Sequence, residues 1–132
     1  MSVRAIRGAT QLEVDDSAHM EERVVELLTQ VMELNSLDRD DVISILFTST
    51  SDLNSAFPAV AARTIGFTDV PLMCARELEI TGSLPRAVRL MAHVETSRSK
   101  AEIAHVYLHG AEVLRPDLAR PSSSASPSAV DD

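Results

Sequence analysis

Residues 86–96 read Arg86-Ala87-Val88-Arg89-Leu90-Met91-Ala92-His93-Val94-Glu95-Thr96, and their alternation decides the fold. Val88, Leu90, Ala92 and Val94 share one face of an extended strand, while Arg89, Met91, His93 and Glu95 share the other. A strand of this kind lies in a sheet with one apolar face and one face carrying polar and charged groups. Residues Ile103 to His109 alternate in the same way, with Ala104, Val106 and Leu108 opposing Ile103, His105, Tyr107 and His109.

Working outward, Val42 to Thr48 (VISILFT) is rich in β-branched and aromatic residues and predicts a central strand covered on both faces. Val70 to Ala75 (VPLMCA) predicts a further strand, whose Pro71 places its start at an edge. Val3 to Ala9 predicts the first strand, with Arg7 on the face of Val3 and Ala5, and Gly8 suited to a close backbone approach. From Ser17 to Asn35, Met20, Val24, Leu27, Leu28, Val31 and Leu34 recur at helical spacing, with Ser17 as the expected N-cap and Glu21 and Glu22 in the expected first turn. Pro58 opens a second, shorter helix that carries Arg63 and stops at Gly66. The pattern predicts a single α/β (α+β) domain of about five mixed strands with two main helices on one face. Two helices leave the other sheet face bare, with Met91, Ile103 and Tyr107 on it, and such a surface predicts oligomerisation through the sheet.

The chain has 132 residues, a net charge of −8 and one cysteine, Cys74. One thiol builds neither an internal disulfide nor a cysteine-rich zinc site, which suits a cytoplasmic protein. The longest apolar runs, Ala59 to Ala62 and Leu72 to Ala75, are far short of the roughly 20 residues of a membrane span, so no membrane partner is expected. Net acidity argues against a nucleic-acid partner, which calls for a basic face. The segment 119–132 is dominated by Ser and Pro and buries too little to offset its ordering entropy. We therefore expect a folded domain at residues 1–118 and a flexible C-terminal tail at 119–132.

Most catalytic motifs are missing. There is no Gly-x-Ser-x-Gly elbow and no glycine-rich phosphate loop. His105 and His109, on one extended strand, would stand roughly 13 Å apart, too far to share a metal ion. What remains is a set of arginines beside apolar strands: Arg7, Arg63, Arg89 and Arg115. Their forked, permanent charge suits carboxylate recognition, although from periodicity alone any single one reads first as a surface arginine or ion-pair partner. Cys74 reads by default as a small buried hydrophobe and Tyr107 as a half-buried packing residue.

Several segments, in order, resemble one family, the small monofunctional chorismate mutases of the homotrimeric α/β class. They are Arg4-Ala5-Ile6-Arg7-Gly8-Ala9-Thr10, Asp52-Leu53 with Phe57-Pro58-Ala59, Val70-Pro71-Leu72-Met73-Cys74 with Glu77, and Ile80-Thr81-Gly82. Arg89-Leu90-Met91, His105-Val106-Tyr107-Leu108 and Val113-Leu114-Arg115-Pro116-Asp117-Leu118 follow. The resemblance implies an isomerase that rearranges chorismate to prephenate in phenylalanine and tyrosine biosynthesis, with no metal and no cofactor. It also implies a trimeric pseudo-α/β-barrel with sites between subunits. It gives Arg89 the ether oxygen, Arg7 and Tyr107 a carboxylate, and Glu77 and Cys74 the ring hydroxyl. Phe57, Ala59, Leu72 and Met73 would form an apolar wall, Arg63 would stand near the mouth, and Leu114 and Arg115 would close over the ligand. Val60 stands where some relatives carry lysine, and Met73 where some carry a small hydroxyl residue. A trimeric enamine/imine deaminase-like enzyme and a non-catalytic carboxylate-binding module are the alternatives.

Overall fold

The structure, a computed structural model, describes residues 1–114; Arg115 and the tail at 119–132 lie outside the described residues. Five strands, β1 (Ser2–Gln11), β2 (Val42–Ser49), β3 (Leu72–Arg76), β4 (Ala87–Thr96) and β5 (Val106–Tyr107), form one sheet in the order β3-β2-β4-β1-β5. Strand β4 runs antiparallel to both β1 and β2, and the outer pairs β2/β3 and β1/β5 are parallel. The central strand is thus β4 rather than β2, and the long alternating stretch at 86–96 is the axis of the sheet. Helices α1 (Ser17–Leu34) and α2 (Pro58–Thr64) pack against each other and cover one sheet face.

That face is the core. Ile6, Phe47, Leu90, Ala92 and Val94 from the strands meet Met20, Val24, Leu27, Leu28 and Val31 of α1, all buried. Each such side chain contributes roughly 1.5–3 kcal/mol when removed from water. Gly8 permits the close approach expected of it: a Cβ there would stand 3.3 Å from Leu27 Cδ1 and 3.4 Å from Leu90 Cδ1. The expected stop of α2 at Gly66 is also observed, with φ +102° and the Gly66 N–H donating to the Arg63 carbonyl. A side chain at that position would collide with the Arg39 guanidinium.

Four expectations need correction. The N-cap of α1 is Asp16, whose carboxylate accepts the His19 N–H at 2.9 Å, and Ser17 is already helical. Glu21 and Glu22 consequently fall beyond the first turn. Strand β2 is covered on one face only, its buried and open positions alternating around a bulge at Val42/Ser44 that leaves Ile43 exposed. The expected strand from Ile103 to His109 shrinks to two residues. Before it, Ala104 is pinned by the buried Asn35 amide, which accepts its N–H at 2.8 Å and donates to its carbonyl at 2.9 Å. After it, His109 and Gly110 take positive φ and turn the chain away. Ile103 and Tyr107 are therefore buried within the chain, and the bare sheet face instead shows Val3, Leu46 and Met73, with Met91 half-buried.

The link between β1 and α1 is tied to the loop that precedes α2. Both Asp15 carboxylate oxygens accept N–H bonds from Asn54, at 3.1 and 3.0 Å, and Oδ1 also accepts from Ser55 at 3.1 Å. Among the described residues no helix is long and apolar enough to cross a membrane. The Ser55 side chain first, and then the Asn54 N–H, hold the Asp15 carboxyl below the usual carboxylate range. Its contribution to stability is thus present above the unfolded carboxylate pKa and is lost as pH falls through the lower folded value. Asp15→Asn is expected to remove this contribution at neutral pH and to flatten the acid limb of the stability profile, measured by urea unfolding between about pH 3 and pH 7.

Candidate active site

The sheet register lines up one row of side chains across the uncovered face: Ala75, Thr48, Arg89, Ala9 and Tyr107, from β3, β2, β4, β1 and β5 in turn. The row beside it holds Met73, Leu46, Met91 and Arg7. Arg7 and Arg89 are thus diagonal neighbours on antiparallel strands, close enough for long side chains to reach a shared ligand. Two guanidinium groups converge in a chain whose overall charge is −8.

Glu77 enters from just beyond β3, its backbone N–H donating to the Ser49 carbonyl at 3.0 Å. Its carboxylate is gripped in a bidentate pair by Arg89: Nε donates to Oε2 at 2.7 Å and Nη2 to Oε1 at 2.9 Å. The Thr48 hydroxyl adds a bond to Oε2 at 2.6 Å. The Glu77 side chain is 10% exposed and that of Arg89 30%, so the pair is shielded yet open on one side. Fixed, charge-assisted bonds of this kind are the strong ones.

Around the pair lies a cleft of about 820 Å³, lined among others by Arg7, Thr48, Glu77, Arg89, Met91 and Leu114. This is the size range of small-molecule sites. The loop from Glu77 to Pro85 forms one wall, with a turn at Gly82 (φ +85°), and Val113 and Leu114 form another. The loop is pinned where it rejoins β4, because both Asp52 carboxylate oxygens accept the Arg86 N–H, at 3.2 and 3.0 Å. Tyr107 is buried in the same row, packed with Ala9 and Ala111 against Leu84 and Leu114. Arg7 is further fixed through its backbone, whose N–H donates to His105 Nδ1 at 3.0 Å.

The other expected residues stand elsewhere in the chain. Phe57 and Cys74 line a separate cavity of about 420 Å³. Cys74 pairs in register with Phe47 and packs against the helix-covered core, on the face of β3 opposite to Met73 and Ala75. Leu72 also packs against the core, Ala59 is buried in the first turn of α2, and Arg63 is exposed in the last turn of α2. Phe57 and Met73 are 69% and 66% exposed, unusual for large apolar side chains. A single chain therefore lines one cleft with Arg7, Glu77, Arg89 and Leu114, buries Tyr107 behind Leu84 and Leu114 at its side, and keeps Phe57 and Cys74 in a separate cavity. Arg115 lies outside the described residues.

Thr48 and His105 were not among the expected site residues. The alternation in Val42 to Thr48 puts Thr48 on the face of Leu46, but only the pairing with β4 sets it opposite Arg89.

The chain is similar to known proteins over most of its length. Residues 3–118 match the family model described as chorismate mutase type I. The chain is 44% identical over 117 residues to chorismate mutase AroH of Thermus thermophilus, covering 88% of this chain and 96% of that one. It is 40% identical over 119 residues to chorismate mutase AroH of Bacillus subtilis (strain 168), covering 89% and 94%. A solved chorismate mutase from Clostridium thermocellum superposes with a TM-score of 0.83 at 47% identity, covering 84% of this chain and 99% of that one. The protein with the Arg89–Glu77 cleft belongs to the type I chorismate mutases and is an isomerase.

Proposed function

We propose that the cleft binds chorismate and rearranges it to prephenate in aromatic amino acid biosynthesis, with the domain at residues 1–118 acting in the cytoplasm. The observation that carries this reading is the Arg89–Glu77 pair beside Arg7 in one small-molecule cleft. Chorismate carries two carboxylates, and its rearrangement breaks an ether C–O bond while a C–C bond forms within the same molecule. No external nucleophile or proton transfer is required, so the protein's task is to hold a folded conformer and to stabilise charge where it develops.

In this reading the Arg89 guanidinium donates to the ether oxygen as negative charge grows there, and to a carboxylate. Arg7 and Tyr107 hold the enolpyruvyl carboxylate. Glu77 accepts the ring hydroxyl and offsets the positive charge developing on the ring. Leu114 and Arg115 close over the bound molecule. The remaining residues, Phe57, Ala59, Arg63, Leu72, Met73 and Cys74, come from a neighbouring copy in a homotrimer, whose Cys74 thiol contacts the same hydroxyl. Two facts support that division: within one chain Phe57 and Cys74 line their own cavity, and Phe57, Met73, Leu46 and Val3 are all exposed apolar groups. Such a surface fits burial against a second copy.

The purified chain is expected to consume chorismate in buffer containing EDTA, with prephenate identified as the product; a folded chain that leaves chorismate unchanged contradicts the reading. In the same assay Arg89→Ala is expected to lower kcat by about a thousandfold, the cost of one lost fixed donor, while thermal unfolding shifts by no more than about 5 °C. Near-normal kcat in a folded Arg89→Ala chain would remove Arg89 from the transition state.

A further inference from the structure

Glu77 stands beyond the end of β3, so its backbone bond to Ser49 fixes where the residue begins but not where its carboxylate points. The side chain is aimed by its partners. Arg89 binds both oxygens from β4, and a pair of this type still has freedom to slide from a side-on to an end-on geometry. Thr48 removes that freedom from a different strand. It is the direct cross-strand partner of Arg89 on one side and of Ala75 on the other, so its hydroxyl reaches the carboxylate from the β2 side. As a β-branched residue it is stiff at χ1, and its 2.6 Å bond to Oε2 is short.

The acceptor positions then divide unequally. Each carboxylate oxygen accepts about two bonds. Oε2 receives both Arg89 Nε and the Thr48 hydroxyl, whereas among the described residues Oε1 receives Arg89 Nη2 alone. We infer that Thr48 is a positioning residue for catalysis: its hydroxyl saturates Oε2 and turns Glu77 so that the remaining acceptor position on Oε1 faces the ring hydroxyl of the substrate. The inference rests on the reaction proposed above and deepens it. A carboxylate a fraction of an ångström out of place would still bind the ground state through the arginines. It would be badly placed for the charge that develops on the ring, so the loss belongs to kcat rather than to KM.

The test uses the full chain with Thr48→Val, which keeps the shape and removes the donor, Thr48→Ser, which keeps the donor, and Thr48→Ala, which serves if the valine chain does not fold. Chorismate turnover and thermal unfolding are measured for each. Thr48→Val, or Thr48→Ala in its place, is expected to lower kcat by about 10- to 100-fold. KM and the Thr48→Ser kcat are expected to stay within about threefold of the parent, and unfolding within about 5 °C. A donor-less variant with kcat within about twofold of the parent overturns the inference. So does equal loss in the serine and donor-less variants, or a loss confined to KM or matched by lost stability. If the parent chain itself leaves chorismate unchanged, the proposed reaction fails and takes this inference with it. A working parent with an unaffected donor-less variant sinks the role of Thr48 alone.

Discussion

A single helical layer has to serve a two-faced sheet, and the rest of the molecule follows from that constraint. Helices α1 and α2 seal one face of five strands with a core of Ile, Leu, Val and Phe side chains. Among the described residues the other face is covered at its β5 end, where Leu84, Ala111 and Leu114 pack over Ala9 and Tyr107, and along β4 it carries Arg89, Met91, His93 and Glu95 where the helix-covered face carries Val88, Leu90, Ala92 and Val94. A sheet sealed on both sides could not hold two guanidinium groups and a carboxylate in its middle without a large desolvation cost. Here the open face lets Arg7 and Arg89 stand beside apolar neighbours while remaining reachable by a charged ligand. The same bareness leaves Leu46 and Met73 exposed, which is the surface that the proposed homotrimer would bury.

The electrostatics are local. A net charge of −8 would repel a dianion, but at physiological salt the repulsion is screened beyond about 8 Å. Among the described residues the charges that line the cleft are Arg7, Arg89 and Glu77, with Glu77 and Arg89 paired to each other. In the proposed reading the site presents a cation where a carboxylate or a developing oxyanion would sit, and a carboxylate where positive charge would develop. Both are held before the ligand arrives, by strand register for the arginines and by the bonds from Thr48 and Arg89 for Glu77. Preorganisation of this kind lowers a unimolecular barrier without any covalent step.

Much of the fold was legible in the sequence because periodicity reports burial directly. The two-residue period of 86–96 and the helical period of 17–35 both correspond to real elements, and Pro58 and Gly66 bracket α2 as their backbone preferences require. Legibility failed where side chains or backbone turns overrode the period. The Asn35 amide captures Ala104 and the positive φ at His109 and Gly110 ends β5, and neither leaves a trace in the alternation of Ile103 to His109. Asp16 displaced Ser17 as the cap because a carboxylate three residues before His19 reaches its N–H equally well. At the site, the likeness of segments to a family pointed to Arg7, Glu77, Arg89 and Tyr107, and these do converge on one face. Within one chain the alternation along β3 turns Cys74 away from Glu77, and Thr48 was invisible until the β2/β4 register set it opposite Arg89.

The central claim is that one working site is assembled from two copies of the chain across the open sheet face. It is tested most directly by mixing two chains that the account expects to be inactive alone, Arg89→Ala and Phe57→Asp, through joint unfolding and refolding, and measuring chorismate turnover. Random trimers of the two should contain intact sites at about a quarter of all positions, so turnover should rise to about a quarter of the parent value. Mixed trimers that stay as inactive as the separate chains would contradict the account.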